Sequence, residues 1–207
     1  MILYTSVLFS LSILIGGLYA QVAIFLSHLF VLYPLYITLK YNCKWLTVFL
    51  LTSVMVSLLW HCSQLWFYNE KFLQLDVIHQ NLLIALSVSL ILFEHVPQYM
   101  LGVLFSYTIF LSVFCLDTFD HVSIYLIFSG LWVLALFIHI MVMYIHHQNI
   151  PPTDTLLLFF YSSIAVCLYV LAPYNYNLIH SVWHVCAYAT LYFSFKIAFC
   201  RERTDFN

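Results

Sequence analysis

The sequence predicts an all-α membrane protein, a seven-transmembrane helix bundle with an intramembrane zinc site. Three observations carry that expectation. Hydrophobic residues fill 65% of the 207 positions, while Asp, Glu, Lys and Arg fill only 7%, against roughly 25% in a soluble domain. Apolar runs approach the ~20 residues that cross a bilayer, and they recur along the whole chain. Two histidines, His180 and His184, fall one helical turn apart near the start of the last run, and ionisable groups inside a membrane mark a functional site by default. A mean hydropathy of +1.01 leaves little room for a soluble domain, and the 19% aromatic content suits interfacial belts. The formal charge of −2 comes without a basic patch, so no nucleic-acid partner is expected.

The elements follow from breaks in hydrophobicity. Met1 to Leu39 is uncharged and longer than one span requires. Residues 1–17 read as an apolar lead-in to one long first helix. The alternative is a signal-like segment ending Leu18-Tyr19-Ala20, against which the missing basic n-region weighs. Breaks follow at Lys40 to Lys44, Asn69 to Lys71, Glu94 to Gln98, Asp117 to His121, His146 to Asp154 and Pro173 to Asn177. They cut the chain into seven spans of about 17 to 25 residues, matched to a ~30 Å hydrocarbon core at ~1.5 Å per residue. Pro151, Pro152 and Pro173 fall in breaks, as residues that cannot continue a helix should. Residues 1–207 read as a single domain, with 200–207 as a cytoplasmic tail.

Lysine and arginine set the orientation. An outside or lumenal amino terminus puts Lys40, Lys44, Lys196, Arg201 and Arg203 on the cytoplasmic side and leaves only Lys71 outside, as the positive-inside rule favours. The expected location is therefore a multi-pass protein of the plasma membrane or secretory pathway. Cys62, Cys115, Cys167 and Cys186 lie in or beside apolar stretches and read as small hydrophobes rather than disulfide partners. Cys200, next to Arg201, is an S-palmitoylation candidate. The chain has no Asn-x-Ser/Thr sequon.

Polar residues converge on one depth. The second span rises from Trp45 and carries Ser57 and His61 near its end; the third carries Asp76; the seventh starts near Asn177 and carries His180 and His184. Counted inward from the nearest loop, His61 and Asp76 each lie about 7 Å deep and the histidine pair about 4 to 10 Å deep, all under the same face. The chemistry that fits is a three-histidine zinc site, with His61, His180 and His184 as metal ligands and a fourth position open to water. Ser57, one turn from His61, can hydrogen-bond the water or a developing oxyanion. Asp76 can act as general base. His79, one turn from Asp76, reads as a supporting partner. His146 and His147 read as loop residues, and His28 and His139 as helix-packing groups without partners.

These residues resemble the signature of the seven-helix superfamily that includes alkaline ceramidases, progestin/adiponectin-type receptors and the transmembrane protein 8 group with myomaker. Ser57-x-x-x-His61, a following-helix Asp76 and His180-Ser181-x-Trp183-His184 carry the likeness, which is strongest to the transmembrane protein 8/myomaker branch. The apolar run Leu26 to Leu39, with Pro34, leading into the basic stretch Lys40 to Lys44 adds to it. The similarity spans about residues 18 to 199. It departs after His61, where Cys62-Ser63-Gln64 replaces the family's Ala-Cys-Asp, and it has neither a large preceding extracellular domain nor a cysteine-rich tail.

The resemblance implies a buried zinc held by three histidines, with Ser57 and Asp76 serving the zinc-bound water. Two functions are compatible with it. One is a membrane-embedded, zinc-dependent hydrolase cleaving a lipid ester or amide, phospholipase- or ceramidase-like. The other is a non-enzymatic, myomaker-like membrane fusion factor or lipid-sensing receptor with a structural zinc. A membrane lipid is the expected substrate or ligand in either case.

Overall fold

The structure is a computed structural model that describes residues 19, 21–66, 70–92, 106, 130, 134, 137, 138, 141, 152–171 and 176–201. Every element among the described residues is helical. We label them α1 (Gln21–Lys40), α2 (Lys44–Trp66), α3 (Glu70–Leu92), α4 (Pro152–Leu171) and α5 (Tyr176–Arg201). Helices α1 to α4 are each long and apolar enough to cross a membrane. The expected lead-in 1–17, most of the fourth span between Gln98 and Asp117 and of the fifth between His121 and His146, and the tail beyond Arg201 lie outside the described residues, as do His139, His146 and His147.

Local chemistry explains the boundaries. Helix α1 tightens to a 3-10 turn at His28–Val31, one turn before Pro34, whose ring and missing N–H disturb the α-helical ladder. It ends where Asn42 adopts a left-handed φ of 55°, a conformation Asn tolerates better than most residues. The amides of Tyr41, Asn42 and Cys43 there return to the carbonyls of Ile37, Leu39 and Thr38. The Thr47 hydroxyl donates to Thr38 Oγ1 at 2.8 Å, tying the start of α2 to the end of α1. Pro152 opens α4, where its missing N–H leaves no intrahelical bond unmade. Asp154 in the first turn complements the helix dipole and pairs with Lys196 of α5 at 2.8 Å.

Helix α5 is central, packing against α1, α3 and α4, while α2 packs on α1 and α3. One core cluster joins Val31 and Ile37 of α1, Leu46 and Leu50 of α2, Leu83 of α3, and Tyr188, Leu191, Phe195 and Phe199 of α5. Smaller clusters join Ile91, Leu158 and Ile197, and Ala165, Trp183 and Cys186. Leu156 and Phe160 of α4, and Leu29, Tyr33 and Tyr36 of α1, are largely exposed, as side chains facing lipid should be. Cys43, Cys62, Cys167 and Cys186 are free thiols, in keeping with a hydrophobe's role for the last three.

Candidate metal centre

Three helices deliver the site. Helical periodicity puts Ser57 and His61 on one face of α2 and His180, His184 and Tyr188 on one face of α5; α1 contributes His28 from its 3-10 turn. His28, His61, His180 and His184 are all buried, His61 completely. A ring nitrogen from each of His28, His61 and His184 lies within 4.8 Å of the other two, so these three can hold a metal ion. His180 adjoins them, its ring centroid 5.0 Å from that of His61 and 4.6 Å from that of His184.

Hydrogen bonds fix which nitrogens face inward. A carbonyl can only accept, so His28 Nδ1 donates to the Ile24 carbonyl at 2.8 Å, and neutral His28 keeps its lone pair on Nε2. That Nε2 lies 3.1 Å from the Ser57 hydroxyl. His61 Nδ1 faces the Gln64 side-chain oxygen at 3.4 Å, a long contact of the kind that orients a metal-binding imidazole from behind. His61 Nε2 then meets His184 Nε2 at 3.3 Å. Two ligand nitrogens at 2.0–2.1 Å from a tetrahedral ion stand about 3.3–3.4 Å apart, so the observed edge fits such an ion without adjustment. Three neutral imidazoles suit zinc, copper, nickel or iron.

The acid–base groups expected from the sequence are adjacent. Asp76 of α3 is buried and accepts a hydrogen bond from Gln80 Nε2 at 2.7 Å. Ser57 and Asp76 line the same cavity, so Gln80, Asp76, Ser57 and His28 form a run of polar groups towards the histidines. Below it lies a half-open cavity of about 100 Å³ between α2, α3, α4 and α5. Ser57, Asp76 and His184 line its polar end, and residues such as Leu83, Leu158, Ala165 and Leu191 line the apolar remainder.

Sequence reasoning puts Ser57, His61, Asp76, His180 and His184 at one level, with His61, His180 and His184 as ligands. The structure sets these residues near one another, but the triad able to hold an ion takes His28 in place of His180. It corrects two readings. His28 is not an isolated packing group but a member of the metal-capable triad, and the signal that finds it is depth. Counted from Lys40 it lies about 18 Å along its span, hence about 12 Å from the opposite face, near the level of the other histidines. The partner one turn from Asp76 is Gln80 rather than His79; His79 Nδ1 instead bonds the Leu75 carbonyl at 2.8 Å, and its ring stacks on Phe49. No family model, curated protein or solved structure matches this chain.

Proposed function

We propose that this chain is a membrane-embedded, zinc-dependent hydrolase that cleaves a lipid ester or amide. The observation that carries the reading is a buried triad of imidazoles, of which His184 lines a largely apolar cavity beside the Asp76 carboxylate. Bound zinc would supply Lewis acidity and bring a water's pKa near 7; His28, His61 and His184 are the residues that would hold it, with His180 beside them. Asp76 is the group that would take a proton from the attacking water. Gln80, donating to Oδ2, holds that carboxylate in orientation. Ser57 supplies a hydroxyl that can turn between Asp76 and an oxyanion forming on the substrate. The apolar walls exclude bulk water and suit an acyl chain, the carbonyl of which would lie at the polar end.

Part of the geometry favours a second reading, a structural metal in a fusion factor or lipid sensor. The triad draws one ligand from each of α1, α2 and α5, so an ion there would fasten three helices. The test is turnover by the purified protein in liposomes containing both a glycerophospholipid and a ceramide, with metal measured per chain. The hydrolase predicts fatty-acid release that stops on chelation and returns with added zinc. Bound metal without release from either lipid class would leave only the structural role.

A further inference from the structure

We propose that the His61–His184 edge is served by two interchangeable third ligands, His28 and His180, so that a single metal ion has two triads open to it. The inference rests on the metal-centre reading above but not on catalysis. The edge is common to both sets, with its nitrogens 3.3 Å apart. His28 reaches it from α1, its ring centroid 4.1 Å from that of His184 and 5.5 Å from that of His61. Its Nδ1 is anchored on Ile24, which commits Nε2 to the interior. His180 stands beside the same edge on α5, its ring centroid 4.6 Å from that of His184 and 5.0 Å from that of His61. The nitrogens already within 4.8 Å of one another are those of His28, His61 and His184, so His180 has to turn to join. Its Nε2 is buried and has no hydrogen-bond partner.

A buried polar nitrogen left without a partner is costly, and a metal ion would satisfy it. Meanwhile the His180 ring is held flat between Tyr176 and Trp183, with centroids 4.6 and 5.1 Å away and interplanar angles of 14° and 17°. That stack gives the ring a defined resting place when His28 occupies the third position.

The two triads differ in what they fasten. With His28 the ion ties α1, α2 and α5 together; with His180 it ties α2 and α5 alone and frees α1. Helix α1 carries the feature such an exchange needs, a 3-10 turn at His28–Val31, and mid-helix turns of this kind often act as hinges. Exchange would also rearrange the acid–base chain, because Ser57 loses or regains His28 Nε2 as a partner while Asp76 stays in reach. The third ligand therefore couples the seating of α1 to the groups around the metal.

The experiment measures metal per chain for wild type, His28→Ala, His180→Ala and the double variant, each in lipid nanodiscs loaded with zinc, and repeats it with cobalt to record visible absorption. The expected result is about one ion per chain in wild type and in both single variants, with at least about a tenfold loss of affinity only in the double variant. The cobalt band should move in His28→Ala and stay near wild type in His180→Ala. His28→Gln and His180→Gln, which keep polarity and most of the volume, guard against misfolding, and each should match its alanine counterpart. A single variant that elutes as wild type yet loses metal as severely as the double overturns the proposal, as does a double variant that keeps its ion. Wild type that binds metal but cleaves no lipid defeats only the hydrolase; wild type without metal defeats both.

Discussion

Replacing Asp76 by Asn removes one charge and almost no volume, so it separates chemistry from architecture. The carboxylate is 3% exposed and accepts from Gln80 at 2.7 Å. A hydrogen bond to a charged group contributes about 1.5–3 kcal/mol and a neutral one about 0.5–1.5, so the exchange forfeits about 1–1.5 kcal/mol there. Relief from holding a bare charge out of water offsets that loss. The amide can also hold its place, turning its oxygen to the Gln80 N–H. Net stability should change by no more than about 1 kcal/mol, or about 2–4 °C in melting midpoint.

Turnover should behave differently. Loss of a general base slows a reaction about 10²- to 10⁴-fold, which is about 2.7–5.4 kcal/mol of barrier. The assay is fatty-acid release from liposomes, with metal content and melting recorded on the same preparation. Asp76→Asn with wild-type turnover would refute the assignment of Asp76 as base. Parallel loss of metal and fold would refute the claim that its role is separable from the site's architecture.

Three further outcomes are expected. Ala165→Phe puts a ring into the cavity wall beside Trp183; release of long acyl chains should fall at least about tenfold with metal content unchanged, and short-chain substrates should suffer less. Lys196→Met leaves Asp154 without its ion-pair partner. Because Lys196 is about one-third exposed, the cost should be about 1–2 kcal/mol rather than the larger penalty of a fully buried pair, and Asp154→Leu added to Lys196→Met should restore most of the melting midpoint. Acidification should strip the metal, since imidazole binds only with its nitrogen unprotonated: metal per chain after dialysis should be retained at neutral pH and lost as pH falls towards about 5, and retention at low pH would argue against an all-histidine site.

How much of the site is legible in the sequence depends on which coordinate a residue's role requires. Position along the bilayer normal is readable, because rise per residue is constant and charged loops mark the ends. That is why Ser57, His61, Asp76, His180 and His184 can be gathered at one level by counting residues. Rotation about a helix's own axis is not readable when polar and apolar residues are not sorted onto faces, and α2 and α3 have almost no preferred apolar face. The reach of Ser57 to His28 turns on that rotation, whereas the choice of Gln80 over His79 as the partner of Asp76 turns on side-chain rotamers within α3. His28 escapes for a different reason. It stands alone in its span, without the i,i+4 spacing that draws attention to α5, and only its depth relates it to the others.

The same reasoning explains why hydropathy ranks the helices differently from their importance to the site. Helix α4 has only 17% of its spanning window buried, whereas α3 has 65%. Helix α5 runs 26 residues but, unlike α1 to α4, is not apolar enough to count as a membrane span on hydropathy, since it carries His180, Ser181, His184, Tyr188, Thr190 and Ser194 among its apolar residues. In hydrocarbon each such group must find a partner within the protein, so polar side chains can accumulate only on a helix enclosed by others. Helix α5 meets that condition through its contacts with α1, α3 and α4. The least lipid-like of the long helices is therefore the one expected to carry the chemistry, and the metal-capable triad forms where it meets α1 and α2.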